Sequence, residues 1–128
     1  MNTPIILIVD DEPEHRMAVR TVIEPRMECS IAEAGNGADA INYINNNVCD
    51  LLIIDIRMPE KNGLEVIDAV KEKKIPTIVV TAWDSEQVYK ECRSRGVKDY
   101  VLKCDSLKII CDKAINELKK NGKYHPRS

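Results

Sequence analysis

Phenylalanine is absent from this chain, and aromatic residues make up only 4% of it. The core must therefore be aliphatic, built from Ile, Val and Leu. No Cys-x-x-Cys pair occurs, and the cysteines (Cys29, Cys49, Cys92, Cys104 and Cys111) are odd in number and match no zinc spacing. They are read as reduced thiols, since disulfides follow compartment. The apolar run near the N-terminus, Ile5–Val9, has no basic segment before it. It is too short for a signal peptide or a membrane span. No Asn-x-Ser/Thr acceptor exists. A net charge of −2 and a pI near 5.7 supply no field that would gather nucleic acid. The expectation is a soluble cytoplasmic protein with no direct nucleic-acid contact and no membrane contact. No repeat, linker or low-complexity stretch appears. The 128 residues fit one domain, with a core over about 4–120 and a polar tail over 121–128 that should fray.

What is present alternates. Apolar, β-branched runs fall at Ile5–Val9, Leu51–Ile54 and Thr77–Val80, with weaker strand-like pieces at Cys29–Glu33 and Lys98–Leu102. Segments of helical spacing lie between and after them. The first covers about Glu12–Glu24, with Pro13 in its first turn and Pro25 at its end. The second covers about Asn36–Asn46, with Ala38, Ala40, Ile41 and Ile44 on one face. The third starts near Gly63 and ends before Pro76. The fourth covers about Asp84–Arg95 and stops at Gly96. The fifth covers about Ser106–Lys120, with Leu107, Ile110, Cys111, Ala114, Ile115 and Leu118 as its apolar stripe. Strands alternating with helices predict an α/β fold, a doubly wound five-stranded parallel sheet. The continuously apolar runs suit its centre and the more polar ones its edges. That favours the order 2-1-3-4-5 of flavodoxin-like sheets.

In that order the first and third strands are neighbours at the switch point where such sheets bind ligands. Asp10 and Asp11 follow the first strand and Asp55 follows the third. Carboxylates about 4 Å apart repel by about 4 kcal/mol at an effective dielectric near 20. A fold holds such a group together when a cation or proton is meant to share the gap. A hard dication with oxygen ligands suits it, Mg2+ before Ca2+. Thr81 ends the fourth strand and Lys103 the fifth, on the same side of the sheet. Acids, a hydroxyl and an ammonium together suit phosphoryl transfer onto a carboxylate. Asp55, the single acid before a loop, is the nucleophile candidate.

The chain resembles the receiver domain of two-component response regulators, of the chemotaxis-regulator type. The matching pieces are Val9-Asp10-Asp11-Glu12-Pro13, Glu33-Ala34-Gly35-Asn36-Gly37, Asp55-Ile56-Arg57-Met58-Pro59-Glu60-Lys61-Asn62-Gly63, Thr81-Ala82 and Gly96-Val97-Lys98-Asp99-Tyr100-Val101-Leu102-Lys103. The resemblance runs over about residues 4–120 and implies a single receiver domain, 1–128. It implies Asp55 as phosphoacceptor, and Asp10, Asp11, Asp55 and the backbone carbonyl of Arg57 as magnesium ligands. Asp11 would bind more directly and Asp10 partly through water. It implies Thr81 as the switch hydroxyl, Tyr100 as the switch aromatic and Lys103 as the phosphate-contacting lysine. The donor would be a phosphohistidine on a sensor histidine kinase or histidine phosphotransfer protein. The face of the fourth helix, fifth strand and fifth helix would signal, through partners or a homodimer. Such a domain phosphorylates and dephosphorylates itself and is not an enzyme with a separate substrate. One departure stands out: receivers usually follow this lysine with proline, and here Cys104 follows, which leaves a trans or a cis bond open.

A reading from a different class is a magnesium-dependent phosphatase or phosphotransferase of small molecules with an aspartyl nucleophile. It would need a cap domain or a further acid near Asp55, and the stretch Ile56–Gly63 offers neither. A docking-only relative would lack an acid or Lys103, and none is missing. Gly35-Asn36-Gly37-Ala38-Asp39-Ala40 spells a dinucleotide fingerprint but follows the second strand, so its glycines are read as a turn. His15 is read as a solvated helix-face residue, Cys104 as a plain buried thiol, and Lys71, Lys73 and Lys74 as a solvated helix end. Arg57 and Trp83 are expected to flank the phosphoryl group and slow the attack of water.

Overall fold

A computed structural model describes residues 3–56, 63–82 and 85–127. Strands and helices alternate: β1 Ile5–Val9, α1 Pro13–Ile23, β2 Ser30–Ala34, α2 Gly37–Asn46, β3 Leu51–Ile54, α3 Gly63–Lys71, β4 Thr77–Thr81, α4 Glu86–Ser94, β5 Asp99–Leu102 and α5 Leu107–Lys120. The sheet has the order β2-β1-β3-β4-β5 and every pairing is parallel. The expected fold and order are therefore observed. Strand bounds moved little; β2 begins at Ser30 and β5 at Asp99.

The period-2 alternation of a strand sends successive side chains to opposite faces. Leu7, Val9, Leu52, Ile54 and Val79 pack on one face with Ala40 and Ile44 of α2, Val66, Ile67 and Val70 of α3 and Val88 and Cys92 of α4. Ile6, Ile8, Ile53, Ile78 and Val80 pack on the other with Val19 and Ile23 of α1 and Ile110, Cys111, Ala114 and Leu118 of α5. This double burial is why β1 and β3 are apolar throughout and β4 is apolar between its terminal threonines. All five cysteines are free. Burial raises the Cys49 and Cys92 thiols to about 11, which keeps them protonated and unreactive.

Local chemistry sets the helix ends. Pro13 opens α1. Asn36 caps α2 by accepting the Asp39 N–H at 2.8 Å, which makes the Gly35–Gly37 stretch a turn into the helix. Ser85 and Ser106 cap α4 and α5 in the same way. Gly96 takes a left-handed φ of 89° just past α4, as a helix-ending glycine does.

Two expectations fail here. Ala38 is exposed, because the buried face of α2 runs through Gly37, Ala40 and Ile44. The tail does not fray over residues 123–127. The Lys123 ammonium reaches the Asp50 carboxylate at 2.7 Å, and the Glu28 N–H donates to the His125 carbonyl at 2.7 Å. Arg127 donates to the Glu24 carbonyl at 2.7 Å, and Tyr124 packs against the α1–α5 core. These anchors, spread over distant parts of the chain, offset the entropy of ordering a short segment.

Candidate functional site

The sheet ladder carries the site residues to its carboxyl edge. The Asp10 N–H donates to the Ala34 carbonyl at 3.1 Å and the Asp55 N–H to the Val9 carbonyl at 2.9 Å. The Lys103 N–H donates to the Thr81 carbonyl at 2.8 Å. Backbone bonds thus fix where each side chain starts. Asp10, Asp55 and Thr81 are buried polar residues, at 2%, 5% and 0% exposure. Asp11 and Glu12 are exposed.

The Lys103 ammonium joins the acids. It lies 2.9 Å from Asp10 Oδ2 and 3.0 Å from Asp55 Oδ2, with its side chain 13% exposed. It also contacts the Glu12 carboxylate. One cation therefore serves three carboxylates. Burial alone would lower the Lys103 pKa, but the bonds to Glu12, Asp10 and Asp55 raise it above its usual range. Burial likewise favours neutral Asp10, yet its bonds from His15, the Glu12 N–H and Lys103 hold the carboxyl below its ordinary value. Both groups are charged at neutral pH.

Asp10 is densely partnered. Its Oδ1 accepts the Glu12 N–H at 2.9 Å, and its Oδ2 lies 2.8 Å from His15 Nδ1. An ionised carboxylate only accepts, so Nδ1 carries the proton. The reading of His15 as solvated is corrected: its side chain is 17% exposed, and Nε2 is buried without a partner among the described residues. His15 lies in the first turn of α1, two residues past Pro13, and its ring folds back onto the acid. Arg16, also unforeseen, donates to the Asp10 carbonyl at 2.5 Å and pairs with Glu33 at 2.9 Å. It ties α1 and β2 to the mouth of β1.

Gly63 closes the other side. Its N–H donates to the Ile56 carbonyl at 2.8 Å. A Cβ at this position would stand 2.5 Å from Ile56 Cα and 2.8 Å from the Asp55 carbonyl oxygen. Only glycine lets α3 start this close to the Asp55 backbone.

Carboxylate oxygens of Asp10, Asp11, Glu12 and Asp55 lie within 4.8 Å of one another. An all-oxygen set with two buried members fits a hard cation such as Mg2+. Glu12 was missed as a member, although the run Asp10-Asp11-Glu12 was its visible signal. The Arg57 carbonyl, and the expected shielding by Arg57 and Trp83, lie outside the described residues. Tyr100 is half-buried and meets Tyr89 edge-on, ring centroids 5.4 Å apart. The described residues contain no cis peptide bond, so Lys103–Cys104 is trans. Cys104, in the turn after β5, is exposed rather than buried.

Residues 6–114 match the family model of the response regulator receiver domain. A protein of Pseudomonas aeruginosa named as a transcriptional regulator is 36% identical over 114 residues, covering 86% of this chain and 55% of that protein. The regulatory protein LuxO of Vibrio cholerae is 30% identical over 118 residues, covering 88% of this chain and 26% of LuxO. The chain thus spans about half of one relative and a quarter of the other. A CheY-like receiver domain from Methanospirillum hungatei superposes with a TM-score of 0.87 at 22% identity, covering 95% of this chain and 98% of that one. That likeness speaks to the fold.

Proposed function

The chain belongs to the response regulator receiver domain family, and on that premise we propose that Asp55 is its phosphoacceptor. The observation that carries this reading is the shared cation: the Lys103 ammonium sits between the Asp10 and Asp55 carboxylates at 2.9 and 3.0 Å. A lysine so placed can follow negative charge as it develops on a group attached to Asp55. The Asp55 carboxylate attacks the phosphorus of a phosphohistidine, an O–P bond forms, the N–P bond breaks and the imidazole leaves. Lys103 then turns from Asp10 and Glu12 toward a phosphoryl oxygen, and Thr81, buried at the end of β4, donates its hydroxyl to another. A magnesium ion held by Asp10, Asp11 and Asp55, with the Arg57 carbonyl, would neutralise phosphoryl charge when bound. Both Asp10 oxygens are already engaged, Oδ1 by the Glu12 N–H and Oδ2 by His15 Nδ1, which supports its action through water.

Thr81 moving toward the phosphoryl group vacates space behind it, and Tyr100 turns from Tyr89 into that space. The face of α4, β5 and α5 thereby changes shape and signals. Driving such a two-state element from 1:99 to 99:1 takes about 5.5 kcal/mol of preference. The partners are a sensor histidine kinase or a histidine phosphotransfer protein, and the face also suits pairing of two copies. Residues 1–128 act as one cytoplasmic signalling module with no separate substrate. Any contact with DNA would come from chain other than these residues. No helix among the described residues is long and apolar enough to cross a membrane. Incubation with acetyl phosphate and magnesium should give one phosphoryl adduct, lost in Asp55→Asn. Turnover of added phosphoesters without an adduct would instead favour the small-molecule phosphatase.

A further inference from the structure

At the amino ends of β4 and β5, across the sheet from Asp55, a groove of about 450 Å³ opens between the ends of α3, α4 and α5. Its floor is apolar: Ile67, Val70 and Val97 are buried in the core beneath it. Its rim carries Lys71, Lys74, Arg95, Lys98 and Lys120 against one carboxylate, Glu117. The chain as a whole is net negative, so this excess is local.

Pairing does not account for it. Arg95 is held by Asp68 at 2.9 Å and Lys120 by Glu117 at 3.6 Å. Lys71, Lys74 and Lys98 have no ion pair among the described residues. Helix dipoles explain a lysine in a last helical turn, such as Lys71. Lys74 and Lys98 lie outside the helices. Lys74 also takes a left-handed φ of 55°, a conformation uncommon for any residue but glycine. A side chain is thus kept where the backbone would prefer none.

We propose that this groove docks an acidic peptide segment of a partner protein, carrying an aliphatic residue that fills the floor. The lysines would pair with the segment's carboxylates around that anchor. The lining argues against the other anions. No aromatic side chain among the described residues lines the groove, so they offer bases no platform to stack on. Among the described residues that line it, no buried donors converge on one point, as a compact phosphate would require. The groove shares no residue with the phosphoryl site, so this docking stands apart from the reading of Asp55.

The test is a titration of the isotope-labelled full chain with a synthetic peptide of aspartate and glutamate interrupted by two leucines. Saturable amide shifts are expected at Val70, Ile75 and Val97. The same peptide with leucine replaced by serine should bind several-fold more weakly. Lys71→Glu combined with Lys98→Glu should weaken binding about tenfold or more. Lys74→Gly, which removes an ammonium while suiting the left-handed backbone, should weaken it several-fold with the fold unharmed. Absence of saturable shifts at the groove, or affinity unchanged in Lys74→Gly, would overturn the proposal. So would pyrophosphate or single-stranded oligonucleotide saturating the same residues as tightly as the peptide.

Discussion

Strand β3 is bracketed by two aspartates that live in opposite circumstances. Asp50, before the strand, has its own partners: it accepts the Ile5 N–H at 2.8 Å and the Lys123 ammonium at 2.7 Å. Burial pushes its carboxyl up, and those two bonds bring it below the ordinary range. Asp55, after the strand, shares one ammonium with Asp10 and Glu12 and sits within reach of the oxygens of Asp11. The amino end of β3 is thus paired for stability. Among the described residues, the carboxyl end gathers four carboxylates around the one ammonium of Lys103, which suits the dication and phosphoryl group proposed for it. Functional sites commonly carry such locally unfavourable charge while the rest of the fold compensates.

The comparison breaks hardest at Lys103. Lys103→Met takes from the buried Asp10 and Asp55 the ammonium they share and should cost about 3 kcal/mol in urea unfolding at neutral pH. The pH dependence has a definite sign. Asp10 is held below its ordinary 3.8, so its contribution is complete above that value and fades as pH falls through the lower folded value. Lys103 is raised above its ordinary 10.5, so its contribution is complete below that value and fades as pH rises through the folded value. The stability gap between wild type and Lys103→Met should therefore be widest between these limits and narrow toward both.

Magnesium should act on one end only. At a hundred times its dissociation constant, Mg2+ stabilises the fold by about 2.7 kcal/mol if it binds only the folded chain. Asp11→Asn should remove most of that gain in a thermal melt, and Lys123→Met should leave it intact. Trp83 fluorescence should follow the same titration. A response that is flat in wild type would count against placing Trp83 at the site.

Gly63→Ala sharpens the contrast by packing rather than charge. The new methyl would meet Ile56 Cα and the Asp55 carbonyl, at a cost of about 1–3 kcal/mol. Because it displaces the backbone of Asp55, it should also slow phosphorylation by acetyl phosphate. The smallest effect belongs to the paired end. Lys123→Met removes an ion pair whose ammonium is half-exposed, worth about 1 kcal/mol, and should leave phosphorylation unchanged.

Much of this was legible in the chain. Ile5–Val9, Leu51–Ile54 and Thr77–Val80 are unbroken apolar runs because both faces of those strands are covered, and that places Asp10, Asp55, Thr81 and Lys103 on one edge. Side-chain reach across the fold was not legible. His15 reads as solvated by its neighbours in sequence, and only the fold-back of α1 brings it to Asp10. Glu12 follows two conspicuous acids, yet its contact depends on Lys103, far along the chain. The tail from Lys123 to Arg127 is polar in composition, and its order comes from Asp50, Glu24 and Glu28, which no local pattern reveals. Ala38 is apolar by letter yet lies off the stripe of Gly37, Ala40 and Ile44 that α2 buries.

Asp55 alone is proposed to take the phosphoryl group, with Lys103 and a magnesium ion balancing the charge. Intact-mass measurement after incubation with acetyl phosphate tests it most directly. A single phosphoryl adduct is predicted in wild type, dependent on magnesium, absent in Asp55→Asn and strongly reduced in Lys103→Met. An adduct that persists in Asp55→Asn, or forms equally well without magnesium, would contradict the account.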